Sequence, residues 1–259
     1  MKKSQKNYLL LVLAAAITLY VARYAGALGG MISLLAYAVP VFVGTLLAEW
    51  ERVRREEECG SALPRDKSLS LGWRRLLLTL PLTAPTVLLL LGISYLTGLV
   101  LAPFGLGAPE PPSGSLALML AVNCLVPALC EEMLFRYLPM RLRHGWSFSF
   151  TLSVPAVLFA FMHGSLYAIP YALAAGVIFM LADLAFESVI PSMLLHFVNN
   201  ATSALIVYFT RDGRSAATII AVVGILAAVS LAVIAVGGKE YKKLLRKACF
   251  GTTDGNDGN

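Results

Sequence analysis

The amino-acid sequence predicts an all-α fold, a polytopic membrane helix bundle of about eight transmembrane helices with both termini in the cytoplasm. Of its 259 residues, 58% are hydrophobic and only 14% are charged, and the mean hydropathy is +0.75. Apolar runs long enough to cross a bilayer recur along most of the chain. Lysine and arginine cluster between alternate runs, which is the positive-inside pattern of membrane proteins.

Eight apolar segments are the candidate spans, covering residues 8–25, 28–48, 76–103, 116–138, 147–163, 166–182, 188–209 and 216–237. An even number of spans puts both termini on one side. The main basic clusters then share that side, at residues 2–6, 52–75, 141–143 and 239–247. The beginning of the chain also imitates a secretory signal peptide. An uncleaved first span is favoured because a second apolar segment follows at once.

The sequence predicts one transmembrane helical domain over residues 1–250 and a disordered polar tail over 251–259. Because the basic clusters flank membrane spans, they indicate contact with membrane lipid and no nucleic-acid partner. The four cysteines lack CxxC spacing. They therefore indicate neither a disulfide framework nor a cysteine zinc site.

An adjacent pair of carboxylates, Glu131 and Glu132, lies inside the fourth span. An ionisable residue at membrane depth is costly and marks a functional site by default. Glu132 and Arg136 have the spacing and the acid-first order that favour a helical ion pair. Their pairing would leave Glu131 free to face a cavity, where it is a candidate general base for activating water.

Two of the three histidines also lie in apolar spans. His163 ends the fifth span, and His196 and Asn200 lie on one face of the seventh. At about 1.5 Å per residue, these three residues and Glu131 fall in one layer between the inner leaflet and the midplane. A histidine and an asparagine one turn apart can donate to a developing oxyanion. Singly, each is more often an interhelical hydrogen bond; together they indicate water-mediated acyl hydrolysis near the inner leaflet.

Other polar and aromatic residues are expected to have no catalytic role. Asp183 and Glu187 fall at a short inner turn and are expected in solvent, and His144 is expected at the surface. Tyr171 is expected to be a packing or interfacial aromatic.

Three motifs carry a resemblance to a known family. Glu-Glu-x-x-x-Arg (131–136), Phe-x-x-x-His (159–163) and His-x-x-x-Asn (196–200) occur in this order within apolar helices. The chain resembles the CAAX protease and bacteriocin-processing (CPBP) family, which includes the Rce1-type prenyl-protein endopeptidases, over a catalytic core at residues 115–205. Many prokaryotic members have Gly after the motif arginine, where this chain has Tyr137, and this departure leaves substrate choice open.

The resemblance implies an intramembrane endopeptidase of the glutamate-dependent kind. Its catalytic residues would be Glu131 and His163, activating water, and His196 and Asn200, stabilising the oxyanion. Glu132 and Arg136 would support the site, and Phe159 would pack beside it. The implied partner is a peptide or lipidated-protein substrate, and the expected location is the plasma membrane of a prokaryote.

Metal dependence and two other functions remain alternatives. The family is often labelled a metalloprotease, in which case Glu131, His163 and His196 would be the ligands of a zinc ion. The absence of His-Glu-x-x-His favours a mechanism without a cofactor. A non-catalytic peptide-binding or bacteriocin-immunity protein could use the same cluster to hold a partner. A proton-linked transporter is less favoured, because no inverted repeat is evident.

Overall fold

The computed structural model describes residues 1–61, 68–106 and 115–210, together with scattered positions between 224 and 239. Within these residues the chain is helical and contains no strand. The helices are α1 (Lys3–Ala22), α2 (Gly29–Cys59), α3 (Trp73–Phe104), α4 (Leu116–Leu142), α5 (Phe148–Met162), α6 (Ile169–Phe186) and α7 (Ile190–Thr210). All except α5 are long and apolar enough to cross a membrane. The predicted helical membrane bundle is therefore confirmed.

The number of spans and the location of the termini stay predictions. The eighth predicted span, 216–237, lies mostly outside the described residues, as does the predicted tail at 251–259. The predicted fifth span corresponds to α5, which has 15 residues. The division into one domain at 1–250 likewise remains a prediction.

Helix α2 continues well beyond its predicted end at residue 48. Its last turns carry charged pairs at helical spacing, Arg52 with Glu56 at 2.8 Å and Arg54 with Glu58 at 2.9 Å. Pairs of this spacing support a helix in water, so α2 does not stop where the apolar run stops. It ends at Gly60, whose φ of 64° is the left-handed conformation of a helix C-terminus.

Helix α4 contains two π-helical segments, Met119–Leu125 and Met133–Tyr137. At their ends, the N–H groups of Val126 and Leu138 donate to carbonyls five residues earlier. A proline follows each segment by one or two residues, Pro127 and Pro139, and neither has an N–H for the ordinary α-helical bond. The helix absorbs both prolines without breaking, and single π turns of this kind often occur at functional sites.

The bundle has two distinct ends. The basic end is formed by the start of α1, the end of α2 and the α4–α5 connection, where the indole N–H of Trp146 donates to Ser4 Oγ at 2.8 Å and Arg141 pairs with Glu49. The far end is formed by the end of α1 and the α5–α6 connection, where Arg23 lies against Gly164. The helices run alternately between these two ends.

The core extends from the basic end of the bundle to the beginning of α6. It contains Tyr8, Phe135, Leu138, Phe159 and Phe179, all almost fully buried. Helices α5 and α6 pack closely enough that a Cβ atom on Gly176 would lie 2.8 Å from the Cα and Cβ of Ala156. Small residues at such crossings allow helix backbones to approach closely in membranes.

Candidate active site

Glu132 is fully buried and joins α4 to α7. Its Oε1 lies 2.7 Å from Nδ1 of His196, and its Oε2 lies 3.2 Å from Nε of Arg136. Since a carboxylate can only accept a hydrogen bond, Nδ1 of His196 carries the proton. The other ring nitrogen, Nε2, is then the one presented to the cavity. Glu132 therefore fixes the orientation of a histidine on a neighbouring helix.

Arg136 is also fully buried and is held by aromatic rings as well as by charge. Its guanidinium carbon lies 4.2 Å from the ring centre of Phe159 and 5.4 Å from that of Phe179. The approach to Glu132 is a charge contact and not a well-formed hydrogen bond. A planar guanidinium suits this environment better than an ammonium group, because it stacks on ring faces and is less strongly hydrated.

His163 directly follows α5, and its Nδ1 lies 2.9 Å from the carbonyl oxygen of Phe159. A carbonyl only accepts, so Nδ1 carries the proton and Nε2 of the neutral ring has a lone pair. The ring stands edge-on to Phe159, with centres 4.8 Å apart. Phe159 therefore contacts both Arg136 and His163.

Glu131 lines a cavity of ≈ 170 Å³ together with both histidines, and we name this space the Glu131 cavity. Its Oε2 lies 3.9 Å from Nε2 of His196. Its side chain is 19% exposed, whereas that of Glu132 is wholly buried. The two adjacent carboxylates thus differ: Glu132 is enclosed between Arg136 and His196, and Glu131 faces the cavity.

Asn200 lines the same cavity and is tied to α4. Its Nδ2 donates to the carbonyl oxygen of Asn123 at 3.3 Å. That carbonyl needs a partner because Pro127, four residues further along α4, has no N–H to give it. The amide group of Asn200 has a second N–H, which this bond leaves for a ligand. The side chain of Asn199 donates to Asn200 Oδ1 at 3.3 Å.

The structure brings together all seven residues predicted for the site. Those that line the Glu131 cavity are Glu131, His163, His196, Asn200 and Phe159. Glu132 and Arg136 lie behind them, away from the cavity. Their roles stay predictions, since placement alone does not test catalysis.

Some residues at the site were not expected there. Tyr37 on α2 lies near the carboxylate of Glu131. Tyr171, expected to serve packing or the membrane interface, lines the Glu131 cavity. Nothing in the sequence around either tyrosine distinguishes it from the other aromatics of the spans. Asn123 was also not predicted to lie at the site. Pro127, four residues later, could have indicated it, because a proline leaves the carbonyl four residues before it without the usual helical N–H donor.

The expectation that Asp183 lies in solvent was wrong. Asp183 is fully buried, and its Oδ1 accepts the backbone N–H of Ser192 at 2.9 Å. Helix α6 runs on to Phe186, so Asp183 lies within its last turn, and its side chain faces the beginning of α7. Glu187, with a φ of 54°, is the exposed residue that ends the helix.

The described residues do not form a metal centre. Within residues 1–61, 68–106 and 115–210, no three His, Cys, Asp or Glu side chains are grouped so as to hold a metal ion. Nδ1 of each site histidine has a partner, Glu132 or the Phe159 carbonyl, and this leaves Nε2 of both rings toward the cavity. No catalytic step is therefore derived through zinc, and the metal-free mechanism stays a prediction.

The fold and site together describe a helical membrane protein with carboxylate and histidine groups in its interior. A family model described as Type II CAAX prenyl endopeptidase Rce1-like matches residues 113–202. The match covers the segment that contains all three motifs, and the resemblance is confirmed for those residues. At a coarse level, the match supports a membrane-embedded protease with a peptide or protein substrate. Comparison with curated proteins and with solved structures gave no match.

Proposed function

We propose that this protein is an intramembrane endopeptidase that hydrolyses a peptide bond with a water molecule activated by Glu131 and His163. The observation that carries the proposal is that Glu131, His163 and His196 line one cavity, across which Glu131 Oε2 lies 3.9 Å from His196 Nε2. This separation leaves a carboxylate base and an imidazole facing the same small space. A general base must reach its proton directly or through one water, and the cavity volume is sufficient for water.

Water is the proposed nucleophile because of what surrounds Glu131. No Ser, Thr or Cys is among the residues that line the Glu131 cavity. The carboxylate of Glu131 takes a proton from the water as it attacks the scissile carbonyl. The lone pair of His163 Nε2 accepts the second hydrogen bond of the same water, which holds the molecule in place. General base catalysis of this kind contributes about 10²–10⁴-fold to the rate.

The oxyanion that forms is proposed to be stabilised from α7. Asn200 offers its second amide N–H. His196 already uses Nδ1–H for Glu132, so it can donate from Nε2 only when both nitrogens are protonated. The carboxylates of Glu132 and Glu131, one near each nitrogen, provide the negative charge that such an imidazolium needs. Glu132, Arg136 and Phe159 position the histidines.

The proposed substrate is a membrane-associated peptide or protein, lipidated or not, in the plasma membrane of a prokaryote. Short turns such as the one between α6 and α7 favour that setting. The test uses detergent-purified protein and two internally quenched peptides, one with a farnesylated cysteine followed by three residues and its unprenylated counterpart. Cleavage of either would support the proposed reaction, and comparison of the two identifies whether the lipid is required.

Matched variants separate catalysis from folding. Glu131→Gln and His163→Gln should each lower kcat by about 10²–10⁴-fold. Glu57→Gln and His144→Gln change the same residue types at exposed positions away from the site and should keep full activity. Activity should survive a chelator. Full activity of Glu131→Gln would contradict the proposed base, and loss on chelation with recovery on adding zinc would contradict the metal-free mechanism.

A non-catalytic peptide-binding protein is distinguished by the same variants. If neither peptide is cleaved, yet both bind equally well to the unaltered protein and to Glu131→Gln, hydrolysis is not the function.

A further inference from the structure

The charge of the bundle is unevenly divided between its two ends. Within residues 1–210, the described lysines and arginines of the basic end are Lys2, Lys3, Lys6, Arg52, Arg54, Arg55, Arg74, Arg75, Arg141 and Arg143. The far end has Arg23 alone among the described residues. Lys and Arg next to spans are retained on the cytoplasmic side of a membrane. The basic end is therefore the cytoplasmic end, and the far end faces outward.

The site lies at mid-depth in the bundle: His196 is in the second turn of α7, which begins at the basic end, and the α5 and α6 residues of the site lie toward the far end. His163 follows the last residue of α5, at the far end of that helix, and Tyr171 lies in the first turn of α6. A second cavity of ≈ 430 Å³ adjoins the first and shares Tyr171, Asn199 and Asn200 with it. We name this space the Asn123 cavity. Its other walls include the half of α7 nearer the far end and the first turns of α4, a helix that begins at the far end.

The two sides of Glu131 differ in the free space that adjoins the site. On the side of the basic end, the next turns of α4 are closed by Phe135, Leu138 and Leu142, which are 0–1% exposed. On the side of the far end, Asn123 is exposed, and Ser203 and Tyr167 are half-buried around the Asn123 cavity. Within the described residues, the space that adjoins the Glu131 cavity is therefore the Asn123 cavity, on the side of the far end.

We infer that the substrate reaches Glu131 from the extracytoplasmic side of the membrane, through the Asn123 cavity. This inference rests on the proposed function for its chemistry, whereas the direction of access is inferred from the distribution of charge and the position of the Asn123 cavity. It revises the expectation that the site serves a peptide near the inner leaflet. The substrate is then an exported peptide or the outward-facing segment of a membrane protein.

The lining of the Asn123 cavity indicates which peptide segment it would hold. One wall is apolar and includes Leu90, Met119 and Val207, and the other presents side-chain amides and hydroxyls. No charged side chain is among the lining residues. Amides can both donate to and accept from a peptide backbone. The cavity therefore suits an extended, uncharged segment with apolar side chains, next to the bond to be cleaved.

The test is site-directed labelling in a bacterial membrane. In a background with Cys59, Cys124, Cys130 and Cys249 replaced by Ala, Ser203→Cys places a thiol at the Asn123 cavity. Arg143→Cys provides a matched thiol at the exposed basic end. A sulfonated, membrane-impermeant maleimide is applied to spheroplasts and to inverted vesicles. Ser203→Cys should react in spheroplasts and Arg143→Cys in inverted vesicles, each at least tenfold faster than in the other preparation.

The outcomes separate this inference from the proposed function. Reaction of Ser203→Cys only in inverted vesicles, or in neither preparation before detergent is added, would overturn extracytoplasmic access. Peptide cleavage by purified protein has no sidedness and tests hydrolysis independently. A peptide fused to a single-span anchor adds a direct readout: cleavage is expected only when the peptide is displayed outside, and cleavage only of the cytoplasmic fusion would overturn the inference.

Discussion

The spacing between α5 and α6 can be perturbed with a single methyl group. In Gly176→Ala, the added Cβ would lie 2.8 Å from both Cα and Cβ of Ala156, whereas ordinary contacts begin at 3.4 Å. One of these atoms belongs to the backbone, so a side-chain rotation cannot relieve the clash. The helices must separate or tilt. His163 lies at the end of α5, so that movement displaces it from Glu131.

The cost can be estimated from the overlap. Forcing one extra methyl group into a packed interior costs about 1–3 kcal/mol. If unfolding resembles that of soluble domains of similar size, 1 kcal/mol lowers Tm by roughly 2–4 °C, so we expect a decrease of roughly 2–12 °C. Peptide turnover should also decrease, because misplacement by about 1 Å can reduce a rate about 10²-fold. Thermal unfolding in detergent and peptide cleavage measure the two effects.

A second glycine supplies the matched control. A Cβ on Gly92 in α3 would meet no atom within 4 Å. Gly92→Ala should therefore leave Tm unchanged or raise it slightly, since Ala is favoured over Gly in a helix by about 1 kcal/mol. Adding Ala156→Gly to Gly176→Ala removes one of the two close contacts and should restore part of the loss. Equal Tm and turnover in Gly176→Ala and Gly92→Ala would refute the close α5–α6 crossing.

Three further substitutions test separate parts of the structure. Arg136→Met removes the positive partner of buried Glu132 and should destabilise the protein by about 3–5 kcal/mol, measured by thermal unfolding; an unchanged Tm would show that the pair is not enclosed. Asn200→Ala should lower kcat about 10²–10³-fold with only a small change in Tm, because the Asn123 carbonyl that it leaves is partly exposed; unchanged kcat would remove Asn200 from the oxyanion site. Trp146→Phe loses a hydrogen bond to α1 at the basic end and should cost about 0.5–1.5 kcal/mol without changing kcat, which peptide cleavage checks.

The residues that the structure brings together around Glu131 can be singled out from the sequence because charge is conspicuous in apolar helices. Glu131 and Glu132 were assigned different environments from helical spacing alone, and the structure has Glu132 against Arg136 and Glu131 at the cavity. The partner of Glu132 on a third helix could not be predicted, because its bond to His196 depends on how α4 and α7 are rotated against each other. Interhelical geometry of this kind has no signature at fixed sequence spacing.

The errors came from the ends of helices, where hydropathy is least informative. Asp183 looks solvated because it is charged and near a turn, yet a backbone N–H of the next helix accounts for its burial. The end of α2 looks like a loop because it is polar, yet its arginines pair with glutamates four residues later and continue the helix. Tyr37 could not be predicted from its neighbours in the sequence. It lies near Glu131 because α2 and α4, which are distant in the sequence, contact each other.

Pro127 has a consequence for anyone who would rebuild this site elsewhere. Its missing N–H frees the Asn123 carbonyl, and the bond from Asn200 to that carbonyl ties the helix of the proposed general base to the helix of the proposed oxyanion donors. A designer who grafts only the four reactive side chains onto an ideal straight helix would leave Asn200 with no anchor on its neighbour. The transferable unit is therefore the reactive residues together with an interrupted helix.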